Sequence, residues 1–114
     1  MAKYHDDLFT GPEGTDWTPT EPGIRRQILV QNDQMMMVRV DFRKGAVGSM
    51  HNHPHIQASL VERGAFEVTI EGRTVRLDQG GTFIVPANAM HGVVALEDGA
   101  LIDVFTPRRE EFLG

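Results

Sequence analysis

The segment Ser49–Leu60, SMHNHPHIQASL, decides the fold: His51, His53 and His55 stand at alternate positions in it, and Gln57 keeps their parity. A further histidine, His91, follows in a separate segment. On an extended strand, residues two apart project from one face about 6.6–7 Å from each other, so the His51 and His53 rings can converge on one ion. His91 is expected to arrive from another strand. His51, His53, Gln57 and His91 then form a four-ligand set that leaves positions open for water or substrate, as catalytic metal sites require. An isolated His-x-His more often marks a solvent-facing strand, so its flanks decide the reading.

On both sides of this segment, β-branched and apolar residues alternate with polar ones in short runs separated by Gly, Pro, Asn-Asp or Asp-Gly. The pattern predicts strands over 26–30, 36–42, 56–62, 65–71, 73–77, 82–85, 92–96 and 101–105. Eight short strands suit an all-β barrel or jelly roll. No sustained 3.6-residue period occurs, and any helix is expected to be marginal and C-terminal. Residues 1–23 are rich in Gly, Pro, Thr and acidic residues around the single Trp17, and read as an irregular N-terminal arm. Residues 24–114 read as one barrel domain.

The 114 residues suffice for one hydrophobic core, and 40% apolar with 24% charged residues is the composition of an ordinary globular chain. With no cysteine, a metal must be held by imidazole, amide, carboxylate or water. The same absence suits a reducing cytoplasm. Neither a signal sequence nor a membrane-spanning apolar run is recognisable. The net charge of −5 argues against nucleic acid, and an anionic substrate needs a local cationic site.

The flanking glycines complete the picture. Gly45, His51, His53, Gln57 and Gly64 are spaced G-x5-H-x-H-x3-Q-x6-G, while Gly80, Pro86 and His91 are spaced G-x5-P-x4-H. These two blocks, and the short spacer between them, resemble the paired motifs of the cupin superfamily. The resemblance implies a single-domain cupin, a double-stranded β-helix or jelly-roll barrel, holding one divalent metal ion. Two positions depart from the common pattern: Gln57 stands where Glu is usual, and Ala95 where Asn is usual. With only neutral ligands the ion keeps its full charge, which favours Lewis acidity. Imidazole and amide accept nickel, zinc, iron, cobalt or manganese. His55 reads as either a residue behind the ligands or a surface histidine, and His5 as solvent-exposed.

Near the C-terminus, Leu101, Asp103 and Phe105 share one strand face. A carboxylate there is costly to bury unless paired or functional, so Asp103 is expected in a polar cavity. After Pro107, either Arg108 or Arg109 can fold over the barrel mouth to pair with Asp103 or clamp a carboxylate. Met35, Met36 and Met37 read as barrel filling or dimer contact.

GIRRQIL at 23–29, MMVRVDFRKGAVG at 36–48, HNHPHIQ at 51–57 and MHGVVALEDGALIDVFTP at 90–107 resemble the pectin-degradation cupins that linearise unsaturated uronates. The likeness implies a homodimer whose small-molecule substrate is a 4,5-unsaturated galacturonate or mannuronate monomer, opened to 5-keto-4-deoxyuronate. By position it implies Asp103, Phe105 and Arg109 as active-site residues, Arg108 standing where similar proteins vary. Because the barrel hosts several functions, a metal-dependent dioxygenase and a non-catalytic sugar or carboxylate sensor stand as alternatives.

Overall fold

Strand β2 (Ile24–Asn32) and strand β3 (Met35–Phe42) pair antiparallel through a tight Asp33-Gln34 turn, and their alternation faces Ile24, Val38 and Phe42 inward. In this computed structural model, which describes residues 5–114, they belong to a six-stranded sheet. Its order is β1 (Thr18–Pro19), β2, β3, β10 (Gly99–Thr106), β5 (Ile56–Arg63) and β8 (Thr82–Val85). A four-stranded sheet opposes it, ordered β4 (Val47–His51), β9 (His91–Ala95), β6 (Ala65–Ile70) and β7 (Arg73–Asp78). The fold is all-β, two opposed antiparallel sheets forming a jelly-roll barrel. The one helical element among the described residues is a 3-10 turn, Glu110–Phe112.

The core lies between the sheets. Phe42, Phe66, Val61, Val68, Ala95 and Leu101 interdigitate there, and the Phe42 and Phe66 rings meet edge to face at 5.0 Å. A smaller cluster of Met36, Val38 and Phe105 closes the space nearer the site. Met36 is fully buried filling, whereas Met35 is exposed. Gly64 holds the turn between β5 and β6 at φ +80°, and a Cβ there would lie 2.7 Å from the Asp98 carbonyl oxygen.

Two strands lay outside the expectation. β1 is only two residues long. β4 carries almost no apolar alternation, because Gly48, Ser49 and His51 offer no inward hydrophobic row, yet it pairs with β9 across a register shift. The first four residues of the expected arm lie outside the described residues. The remainder runs beside β2, with the Thr10 hydroxyl donating to the Leu29 carbonyl and that of Thr15 to Ile28 at 2.6 Å. Gly14 lies against Gln27, leaving no room for a Cβ, and Gln27 donates to the Thr15 carbonyl and accepts from Arg39. Trp17 carries the Arg25 guanidinium 4.0 Å above its ring. His5 is exposed, as expected.

Candidate metal centre

His51 ends β4 directly opposite His91, which begins β9, and their ring centroids are 4.3 Å apart. His53 is not on the same strand as His51. Pro54 offers no ladder N–H and the chain bends there, so His53 sits between β4 and β5, its carbonyl accepting the Asn88 N–H at 2.7 Å. Convergence therefore comes from a strand end, a bend and a neighbouring strand. The His53 ring lies 5.5 Å from His51 and 4.8 Å from His91. Single ligand atoms of the three histidines all lie within 4.8 Å of one another. Gln57 faces inward from the start of β5, buried beside them.

Each ring is turned by its own backbone. The Nδ1–H of His51 donates to the Ser49 carbonyl at 2.8 Å, that of His53 to His55 at 3.0 Å, and that of His91 to Ala89 at 2.9 Å. This fixes one tautomer and leaves three Nε2 lone pairs for a common ion. The residues fit a divalent cation on two further counts. His91 Nε2 is buried with no hydrogen-bond partner. His53 lies between two oxygen acceptors, since its Nε2 is 3.1 Å from Gln57 Oε1 while its one ring proton goes to His55. Burial and the Arg109 charge push its pKa down, so a doubly protonated ring does not resolve that conflict, whereas a cation accepts from both atoms. Burial also pushes His91 down to about 4, with the positive charges of His51, His53 and Arg109 acting in the same direction and the Ala89 hydrogen bond against it.

Behind Gln57 a short polar chain crosses the sheet. Gln57 Nε2 donates to Ser59 Oγ at 3.0 Å, and Ser59 donates to Asp103 Oδ1 at 2.6 Å. Asp103 faces inward as expected and is 8% exposed. Burial raises its pKa to about 6, against the opposing pull of the Ser59 hydrogen bond and the Arg109 charge. Phe105 stands opposite Gln57 in the β5–β10 register and meets the His53 ring edge to face at 5.7 Å.

The C-terminal segment folds over this end of the barrel. Arg109 lies 5.0 Å from the Phe105 centroid and 4.5 Å from that of Phe112. It does not pair with Asp103; its Nε–H donates to Glu111, the nearer carboxylate on the same turn. Arg108 points elsewhere, to Glu110 and Gln31. A cavity of about 280 Å3 is lined by His51, Gln57, His91, Asp103, Phe105 and Arg109, with His53 buried alongside. That volume is at the small end for ligand pockets, which span roughly 300–1,000 Å3.

Sequence reasoning missed Ser59 and Arg26. Parity held the signal for both: Ser59 lies between Gln57 and Val61 on the inward row of β5, and Arg26 between Ile24 and Ile28 on that of β2. The role of His55 falls to its backbone carbonyl, while its ring Nδ1 is buried without a partner.

A family model described as a cupin domain matches residues 38–105. Over 115 aligned positions the chain is 46% identical to the pectin degradation protein KdgF of Dickeya dadantii (strain 3937), spanning 99% of this chain and 100% of that one. The solved structure of KdgF from Halomonas sp. superposes with a TM-score of 0.86 at 44% identity, covering 95% of this chain and 99% of that chain. An RmlC-like cupin from Shewanella frigidimarina NCIMB 400 gives 0.90 at 39% identity, covering 94% and 96%.

Proposed function

This chain belongs to the cupin family, within its pectin-degradation group, and from that premise we propose that it opens 4,5-unsaturated uronate monomers to 5-keto-4-deoxyuronate. The observation that carries the reading is one small cavity shared by a neutral ligand set, a buried carboxyl of raised pKa and an arginine. The substrate is a galacturonate- or mannuronate-derived monomer left by a lyase acting on pectin or alginate.

His51, His53, Gln57 and His91 would hold one divalent ion, of nickel, zinc, iron, cobalt or manganese. When bound by these neutral side chains, the ion supplies a localised positive charge that stabilises negative charge developing on oxygen. The chain's other residues supply binding and proton movement. Asp103 accepts the proton of the anomeric hydroxyl as the C1–O5 bond breaks, and returns a proton to C4 as C5 becomes a ketone. Atoms and electrons balance within the sugar, so the reaction is an isomerisation needing no oxidant. A carboxyl with a pKa of about 6 is matched to giving and taking a proton near neutrality. Arg109 pairs with the substrate carboxylate, and Phe105 forms an apolar wall against the ring.

The test is proton NMR of unsaturated galacturonate mixed with metal-loaded protein. Loss of the vinylic signal at C4 with no oxygen consumed is the expected result. Oxygen uptake would assign the chain to the metal-dependent dioxygenases, and ligand bound but returned unaltered would make it a sensor. No helix among the described residues is long and apolar enough to cross a membrane. The proposal also includes a cytoplasmic setting, supported by the cysteine-free composition, and a homodimer, supported by the family resemblance. Sedimentation at micromolar concentration tests the dimer.

A further inference from the structure

We propose that Arg26 is a second arginine of the substrate site, receiving the carboxylate of an anionic sugar acid together with Arg109. The sugar-acid class rests on the function proposed above.

Alternation along β2 turns Arg26 inward between Ile24 and Ile28, and its side chain forms part of the wall of the metal-site cavity. Its guanidinium carbon lies 3.8 Å from the Phe112 ring centroid, with that of Arg109 4.5 Å from the same ring. Two cations thus share one aromatic ring at the cavity mouth. Their partners differ. The half-buried Arg39, Arg108 and Arg109 each donate to a carboxylate, of Glu62, Glu110 and Glu111. Arg26 is also half-buried, yet among the described residues it makes no hydrogen bond or ion pair with its guanidinium. Glu111 attracts it, but gives its hydrogen bond to Arg109. Asp7 and Asp16 border the groove on the outer side of Arg26, and neither forms an ion pair with it.

A partly desolvated cation is ordinarily compensated by an anion. Burial and the like charge of Arg109 press on Arg26 in the same unfavourable direction. A ligand carboxylate entering this cavity relieves both, and the planar fork of a guanidinium suits its two oxygens. In a chain of net charge −5, the Arg26–Arg109 pair supplies the local cationic site that an anionic substrate needs.

The experiment titrates full-length, metal-loaded protein with D-galacturonate, which lacks the reactive double bond, and with neutral D-galactose. Wild type, Arg26→Met and Arg26→Lys are compared. Wild type should prefer galacturonate, and Arg26→Met should weaken galacturonate binding roughly 10-fold or more while leaving galactose unchanged. Arg26→Lys should fall between them. In wild type the Arg26 Nε–H resonance should shift with galacturonate and not with galactose, which decides the matter should Arg26→Met fail to fold. Galacturonate binding in Arg26→Met within twofold of wild type, or no carboxylate preference in wild type, overturns the proposal. Turnover of unsaturated uronate with an unchanged KM in Arg26→Met removes Arg26 and leaves the ring-opening activity standing. Absence of turnover with an intact Arg26-dependent preference removes the activity and leaves the carboxylate site.

Discussion

Ser59 donates a 2.6 Å hydrogen bond to Asp103 while accepting one from the Gln57 amide, so the carboxyl proposed to move protons also orients a proposed metal ligand. With the amide nitrogen turned to Ser59, the Gln57 oxygen is left facing His53. Partners behind a ligand typically alter metal affinity by 10- to 100-fold. Ser59→Ala should therefore weaken metal binding by roughly 10-fold or more, measured by competition with a chromophoric chelator. Ser59→Thr keeps the hydroxyl and should restore most of the loss. Equal affinity in wild type and Ser59→Ala would remove the coupling.

Gln57→Glu tests the neutral ligand set. A carboxylate at this position adds an anionic donor and lowers the net charge of the site by one. Metal should bind more tightly and turnover should fall, because less positive charge remains to stabilise the developing oxyanion. Both are read on the same preparation by chelator competition and initial rates. Faster turnover with tighter binding would contradict this account of the site.

The pH dependence of stability in metal-free protein has opposing parts. The folded-state pKa of Asp103 is raised from 3.8 to about 6, so its ionisation costs stability above about pH 6, and the cost is relieved as pH falls towards 3.8. That of His91 is lowered from 6.5 to about 4, so its contribution is present above pH 6.5 and is lost as pH falls through 4. Each shift corresponds to about 3 kcal/mol at most. His53, also lowered by burial, acts in the same direction as His91, so wild type should lose stability between pH 6.5 and 4, with Asp103 offsetting part of the loss. Asp103→Asn removes the compensating part, and its urea midpoint should fall more steeply over that interval. Parallel profiles for the two proteins would contradict the buried placement of Asp103.

The alternation of β3, β5 and β10 made most of the large sheet legible, because each has one buried and one wetter face, whereas in β2 the buried Gln27 lies on the opposite face from Ile24. β4 was not legible, since its register is set by pairing with β9 rather than by an apolar row. The glycine and histidine spacing identified the ligand cluster, but not how it forms: His51 ends one strand, and the bend at Pro54 places His53 outside it. Arg26 was hidden by a different assumption. A cation on a strand is usually read as facing solvent, and only its shared parity with Ile24 and Ile28 marks it as inward.

Gly64→Ala tests the turn that the first motif requires. The added Cβ meets the Asp98 carbonyl oxygen at 2.7 Å and the Gly99 Cα at 2.9 Å, both backbone atoms unable to yield cheaply, at a φ of +80°. The variant should lose about 1–3 kcal/mol or more of stability. Metal affinity of the folded fraction should be unchanged, because the turn is not part of the site. An unchanged thermal midpoint would contradict the packing described for this turn.

Metal-dependent ring opening is read from the ultraviolet absorbance of the C4=C5 bond in unsaturated galacturonate monomer, followed after adding purified protein with and without a strong chelator. Rapid loss well above the spontaneous rate is expected, abolished by prior chelation and restored by added divalent metal. Asp103→Asn should show no acceleration at wild-type metal content. Absorbance decaying only at the spontaneous rate in metal-replete wild type would mean that the chain does not open this sugar.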